Sequence, residues 1–162
     1  VGEDVSSFKV GDRVFLTGAV SGTYAEKAVC GESQVHTLPD SVGFEEGAAI
    51  FVPYYTAYQA LFHRGDAKPG DTVFVHGGSG GVGVSAIQLA LLRGHTVIAT
   101  AGTEEGLQLL RGLGVHLALN HRSAGYIDEL RAFVAPKQGV DVVLEMLANV
   151  NLATDTTILN PR

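Results

Sequence analysis

Hydrophobic and polar positions along the chain follow two rhythms. Beyond residue 70, short apolar runs alternate with helix-length stretches. Val73-Phe74-Val75, Thr96 to Gly102, Leu117 to Asn120 and Val140 to Leu147 read as buried strands of a parallel sheet. Between them, Val84 to Arg93 carries helix formers and stops at Gly94. Thr103 is placed to cap a second helix, with Glu104 and Glu105 in its first turn and Gly114 past its end. Tyr126 to Val134 sets Ile127, Leu130, Phe133 and Val134 on one stripe. Strand–helix alternation at this spacing predicts a doubly wound parallel α/β sheet, Rossmann-type in its connections.

Residues 1 to about 40 have a different grain. Lys9 to Phe15 offers a turn and a short strand, Gly22 to Val29 a second, and Val35 to Leu38 a third that Pro39 and Asp40 close. Such strands, with no helix between them, are part of a β-barrel and too few to close one. Phe44 to Ala49 reads as a short helix, and Pro53 precedes another from Tyr54 to Arg64, ended by Gly65. Thr56 and the neighbouring tyrosines either line a site or, as aromatics at helical spacing more often do, fill a core. The predicted division is 1–45, a partial barrel domain, and 46–162, an incomplete sheet domain. A full doubly wound sheet of this kind continues with further strands, yet Asn151 to Arg162 holds no apolar strand-like run. The pattern therefore predicts a strand with an unpaired apolar edge.

Apolar content of 46%, charged content of 17% and 21 glycines fit a compact α/β protein and exclude a disordered one. A net charge of −6 gives no general attraction to nucleic acid or anionic membrane. Cys30 is the only cysteine, which excludes a disulfide framework and a cysteine-rich zinc lobe. No apolar run approaches the roughly 20 residues of a membrane span, so the expectation is a soluble protein of a reduced, cytoplasmic compartment. Val1-Gly2 opens on what reads as mid-domain sequence and the end is as abrupt, so the reading is of a segment of a longer protein.

The densest signal is Gly78-Ser79-Gly80-Gly81-Val82-Gly83, a G-x-G-x-x-G match placed after a strand and before a helix. In that context Gly78 serves a tight turn, Gly80 lets backbone approach a pyrophosphate, and Gly83 lets helix pack on strand. The first amides of a helix are unpaired and lie at its positive end, so a diphosphate is held without lysine. No Gly-Lys-Ser/Thr follows, which excludes a P-loop. The second strand ends at Thr100-Ala101-Gly102-Thr103 with no acid to hold a ribose 2′-hydroxyl, which favours NADP over NAD. Glu104 and Glu105 read as compensating the helix dipole, and His121 and Arg122 as neighbours of adenine or phosphate or as solvated surface.

Taken together, Lys9-Val10-Gly11-Asp12-Arg13-Val14, Gly22-Thr23-Tyr24-Ala25-Glu26, Gly47-Ala48-Ala49, Thr56-Ala57-Tyr58, His76 to Gly83, Thr103-Glu104-Glu105-Gly106, Asn120-His121-Arg122 and Glu145 to Asn151 resemble the zeta-crystallin, NADPH-dependent quinone oxidoreductase branch of the medium-chain dehydrogenase/reductase superfamily. The likeness runs over residues 1 to about 151. It implies a GroES-like barrel before a Rossmann-type NADP domain, and zinc-independent, one-electron reduction of quinones. By resemblance Ser79, Gly80, Gly81 and Val82 hold the diphosphate, Gly102 lies by the adenosine ribose, His121 near the adenine, and Asn151 further along the cofactor. The family's lysine two residues past Gly106 is Gln108 here, which weakens the 2′-phosphate contact. AU-rich RNA is a further implied partner, and a homo-oligomer the implied full-length state. A non-catalytic, crystallin-like or RNA-binding protein that retains NADPH is the alternative, while a zinc alcohol dehydrogenase relative is disfavoured by the cysteine count. The resemblance names no proton donor and no catalytic residue. It also implies that the family's N-terminal portion, with most of the quinone site, is absent, and that Ile158-Leu159 runs into Asn160-Pro161-Arg162 where a further strand belongs, which makes this piece's own activity doubtful.

Overall fold

A computed structural model describes residues 1–161 and divides the chain into two compact units, Val1–Val52 and the remainder from Pro53. Arg162, the last residue of the run read above, lies outside the described residues.

In the first unit β1, Val14–Leu16, pairs antiparallel with β2, Val35–Thr37, aligning Val14 with Thr37 and Leu16 with Val35. The strand expected over Gly22 to Val29 is not formed. Gly22 takes φ +82°, and Val20 N–H donates 2.7 Å to the Val29 carbonyl, so the segment closes on itself as an exposed loop. Without an apolar face to bury, it has nothing to hold it against the two strands. Leu38 is buried, and Gly47 makes room for it: a Cβ there would lie 2.8 Å from Leu38 Cδ1.

The division between the units falls inside α1, Phe44–Tyr58, which continues as a wider π-helical turn over Gln59–Arg64. The sequence pattern predicts two helices parted near Pro53; instead Pro53 sits within one. Proline removes one backbone donor, whereas Ala57 and Leu61, further along the same stretch, are fully buried in the core of the second unit. That burial is the larger effect.

The second unit is built on a parallel sheet of β3 Thr72–Val75, β4 Thr96–Ala101, β5 Leu117–Asn120 and β6 Val142–Leu144, in the order β5-β4-β3-β6. Period-two alternation sends side chains to opposite faces. Val73, Val75, Val97, Ala99 and Leu144 pack with Ile87 and Ala90 of α2, Gly81–Leu92, and Leu110 of α3, Glu104–Leu113. Phe74, Ile98 and Leu119 face the other way, onto Leu130 and Val134 of α4, Tyr126–Val134, and onto Ile158. Two buried faces make this the doubly wound α/β arrangement that the alternation predicts. Thr103 caps α3, its hydroxyl accepting from Gly106 N–H at 3.1 Å, and Gly114 ends it at φ +87°.

The chain after β6 departs from expectation. The last strand is shorter than Val140 to Leu147, and a helix α5, Ala148–Asp155, follows it. The chain then returns to meet Val140, which donates to the Ile158 carbonyl at 2.9 Å and accepts from Asn160 N–H at 2.8 Å. The edge predicted to lie unpaired is thus covered at its start by the chain itself; along Val142–Leu144, β3 is the only strand neighbour among the described residues.

Glycines that look alike in sequence separate on this fold. A Cβ at Gly83 would fall 2.4 Å from the Gly77 carbonyl oxygen, whereas one on Gly112, inside α3, meets nothing within 4 Å. Gly83→Ala should lower stability by about 1–3 kcal/mol. Gly112→Ala should raise it by about 0.5–1 kcal/mol. Denaturant unfolding checks both signs.

Candidate functional site

Strand β3 ends at Val75, and the loop after it is pinned sideways to β4. Gly77 N–H donates to Thr100 Oγ1 at 3.1 Å, Gly78 N–H to the Thr100 carbonyl at 2.7 Å, and Gly80 N–H to the Gly77 carbonyl at 3.0 Å. Gly78 lies within this tight turn, as the motif predicts, and the left-handed residue beside it is Gly77, at φ +58°. Gly78 is required by packing: its Cβ would sit 2.9 Å from both Ala99 Cβ and Leu110 Cδ2. Gly83 lies hard against the turn, as predicted. Gly80 is different. Its φ is −83°, and an added Cβ would meet only the Gly77 carbonyl oxygen, at 3.4 Å.

Gly80 is the N-cap of α2, and Val84 N–H, bonded to the Gly80 carbonyl at 2.8 Å, is the first amide of the helix to bond back. The amides of Ser79, Gly81, Val82 and Gly83 have no acceptor among the described residues. Unbonded amides at a helix N-terminus attract an anion, and the open face at Gly80 gives one room to approach. This part of the chain fits the diphosphate of a dinucleotide.

At the end of β4, Gly102 is the point on which two side chains converge. A Cβ there would lie 2.8 Å from His121 Nε2 and 3.0 Å from Arg122 Nε. Asn120 Oδ1 steadies the turn by accepting from Arg122 N–H at 2.9 Å. Burial, then the nearby Arg122 guanidinium and His76, hold the His121 imidazole below its usual range. On α3, Glu104 is engaged by Arg111 at 2.9 Å, and Gln108 is exposed.

A cavity of about 270 Å³ opens at the carboxyl ends of the strands, lined among others by His76, Gly77, Thr100, His121, Glu145 and Asn151. His121 and Asn151, far apart in sequence, meet here; Gly78 to Gly83 and Gly102 do not line it. Asn151 is held by its amide, which donates to Glu145 Oε1 at 3.2 Å.

Three residues given no role from the sequence form a largely buried polar cluster in this region. His76 Nε2 lies 2.8 Å from Asp155 Oδ1 and 3.2 Å from Glu145 Oε2. Burial pushes the Asp155 carboxyl up, with the Glu145 charge adding to it and His76 opposing. Burial pushes Glu145 up as well, but the Leu147 N–H, Asp155, Asn151 and His76 outweigh it and leave its carboxyl below the usual range. An acid directly after an apolar strand was the one local sign of this group, at Leu144-Glu145.

Residues 81–162 match the profile of a family described as zinc-binding dehydrogenase. The quinone oxidoreductase of Homo sapiens is 48% identical over 160 residues, 99% of this chain and 48% of that protein. That of Lama guanicoe is 51% identical over 160 residues, with the same 99% and 48% coverage. The chain thus spans about half the length of the curated relatives it matches. Among solved structures, Escherichia coli quinone oxidoreductase complexed with NADPH aligns with a TM-score of 0.85 at 27% identity, over 100% of this chain and 49% of that one. The CurK enoyl reductase aligns with a TM-score of 0.85 at 30% identity, over 99% and 48%.

His121 should titrate below the usual histidine value of 6.5, and Arg122→Ala should move it upward. The folded ring binds its proton less tightly than the unfolded one, so the unfolded state carries more protons just below pH 6.5. The contribution of His121 to stability is therefore complete above that value and is lost as the pH falls towards the lowered folded value. Nuclear magnetic resonance titration of the ring checks this, and a midpoint at or above 6.5 would contradict it.

Proposed function

The chain belongs to the zinc-binding dehydrogenase family, in the quinone oxidoreductase (zeta-crystallin) branch of the medium-chain dehydrogenases/reductases, and from that membership we propose that it is the NADPH-binding part of a quinone reductase. The observation that carries the reading is Gly80: no neighbour in the chain demands a glycine there, and the amides around it are unbonded. A glycine that the protein does not need is explained by a ligand that does.

Gly78, Ser79, Gly80, Gly81, Val82 and Gly83 form the diphosphate cradle in this reading. Gly102 lies at the adenosine ribose, His121 at the adenine end, and Asn151 further along the cofactor. NADP is favoured over NAD because β4 ends without an acid, Glu104 is engaged by Arg111, and the Arg122 guanidinium lies over Gly102. A neutral His121 suits the face of a purine. When bound, the reduced nicotinamide supplies the electrons for the quinone, in one-electron, zinc-independent fashion. With Cys30 as the only cysteine, no cysteine–histidine set is at hand for a catalytic zinc. Residues 1–45 read as part of a GroES-like catalytic domain and 46–162 as the NADP domain. The whole protein is proposed to be a cytoplasmic homo-oligomer. No helix among the described residues is long and apolar enough to cross a membrane.

Gly80→Val should lower NADPH affinity by at least roughly tenfold, about 1.4 kcal/mol, with the circular dichroism spectrum unchanged. Fluorescence titration reads the affinity, and unchanged binding in a folded variant would remove the diphosphate assignment. In the full protein, quinone reduction should fall in step. Retention of AU-rich RNA without any NADPH-dependent quinone turnover would favour the non-catalytic alternative instead.

Gln108→Lys should widen the preference for NADPH over NADH by adding a cation near the 2′-phosphate. Competition between the two nucleotides measures it. Equal affinities before and after the change would return the choice to Glu104 or Glu105 as a ribose ligand.

A further inference from the structure

Asn151 lines the cavity, and its side chain makes one hydrogen bond among the described residues, from Nδ2 to Glu145 Oε1 at 3.2 Å. Which end of an amide faces a neighbour depends on what that neighbour can donate or accept. A carboxylate only accepts, so a charged Glu145 takes the nitrogen and leaves Oδ1 over. A protonated Glu145 would have a hydrogen to give, and the amide could turn round. Asp155 decides between the two. It is hydrogen-bonded to Glu145, and a bond between two carboxyl groups holds one proton. Burial is the largest influence on both and leaves Asp155 raised, whereas the Leu147 N–H, Asp155, Asn151 and His76 outweigh it at Glu145. The proton therefore stays on Asp155 and the charge on Glu145.

We infer that Glu145 is a positioning residue for the cofactor: by holding the Asn151 nitrogen, it presents Asn151 Oδ1 to the ligand as a fixed acceptor. The inference rests on the functional reading above, in which Asn151 lies along the cofactor. Glu145 is well placed for this. Its carboxyl group meets α5 at the N-cap, Leu147, at Asn151 in the middle, and at Asp155, the last residue. His76, just past β3, closes the group, with Nε2 3.2 Å from Glu145 Oε2 and 2.8 Å from Asp155 Oδ1. An amide locked in this way needs no reorganisation when a ligand arrives, which favours binding. It also selects. Oδ1 calls for a donor, so the adenine amino group, a ribose hydroxyl or the nicotinamide carboxamide fits, and an acceptor-only phosphate oxygen does not.

The test titrates the chain with NADPH and with adenosine 2′,5′-bisphosphate by calorimetry. Glu145→Gln should weaken NADPH binding by roughly three- to tenfold, the worth of about one hydrogen bond. Asn151→Ala should do the same, and the double variant should bind no worse than Asn151→Ala alone. The same loss for adenosine 2′,5′-bisphosphate puts the donor on the adenosine half, and a loss confined to NADPH puts it on the nicotinamide half. Full affinity in a folded Glu145→Gln, or a further loss when that change is added to Asn151→Ala, would overturn the inference. The second result would mark Glu145 as a support of the fold alone. Nuclear magnetic resonance of the unmodified chain gives a readout independent of the variants. One Asn151 side-chain amide proton should be shifted and protected from exchange by the carboxylate, and two freely exchanging protons would overturn the inference. Failure of the unmodified chain to bind NADPH would instead overturn the cofactor reading, and this inference with it.

Discussion

Everything at the site depends on the register of β3 between two parallel neighbours. Val75 is aligned with Ala99 on one side and with Leu144 on the other. The next residues therefore leave the sheet together: His76 beside Glu145, and Gly77 beside Thr100. A slip of one residue would exchange the two faces of a fully buried strand and would move His76 away from its acids in the same step. Packing fixes the register, and the register delivers the chemistry.

The glycine turn combines three demands that a sequence motif merges. Gly77 is needed for a left-handed backbone, and Gly78 and Gly83 for contact between the turn, β4, α2 and α3. Gly80 and Gly81 are free of such demands. Gly106 continues the pattern on α3: a Cβ there would be 2.8 Å from Ala101 Cβ and 3.2 Å from Ser79 Oγ. Small residues on three elements thus let the turn sit low between the two helices, with its amides facing outward.

Long periodic stretches were legible in the sequence, because burial of one face leaves a regular trace. Leu117–Asn120 and Tyr126–Val134 follow the apolar pattern to the residue. Local rules failed where a distant contact decides the outcome. Pro53 reads as a break but lies within a helix, and Gly22 to Val29 reads as a strand but has no sheet to join. The acid cluster was invisible for the same reason: His76 and Asp155 are 79 positions apart, and only the fold brings them together. Asn151 was found through family likeness, while its partner Glu145, six positions away, was not.

The return of the chain to Val140 turns residues 140 to 160 into a closed loop, tied at its base by the two backbone hydrogen bonds of Val140. Within that loop ride β6, Glu145, Asn151 and α5. Its two ends are fastened to each other, so α5 does not leave the sheet independently of them. Its escape from the sheet is a cooperative event that must first break the bonds at Val140 or unpair β6 from β3. The amide protons of Val140 and Asn160 are therefore the natural reporters of that opening in hydrogen exchange, and the lifetime of the loop sets how long the floor of the cavity persists.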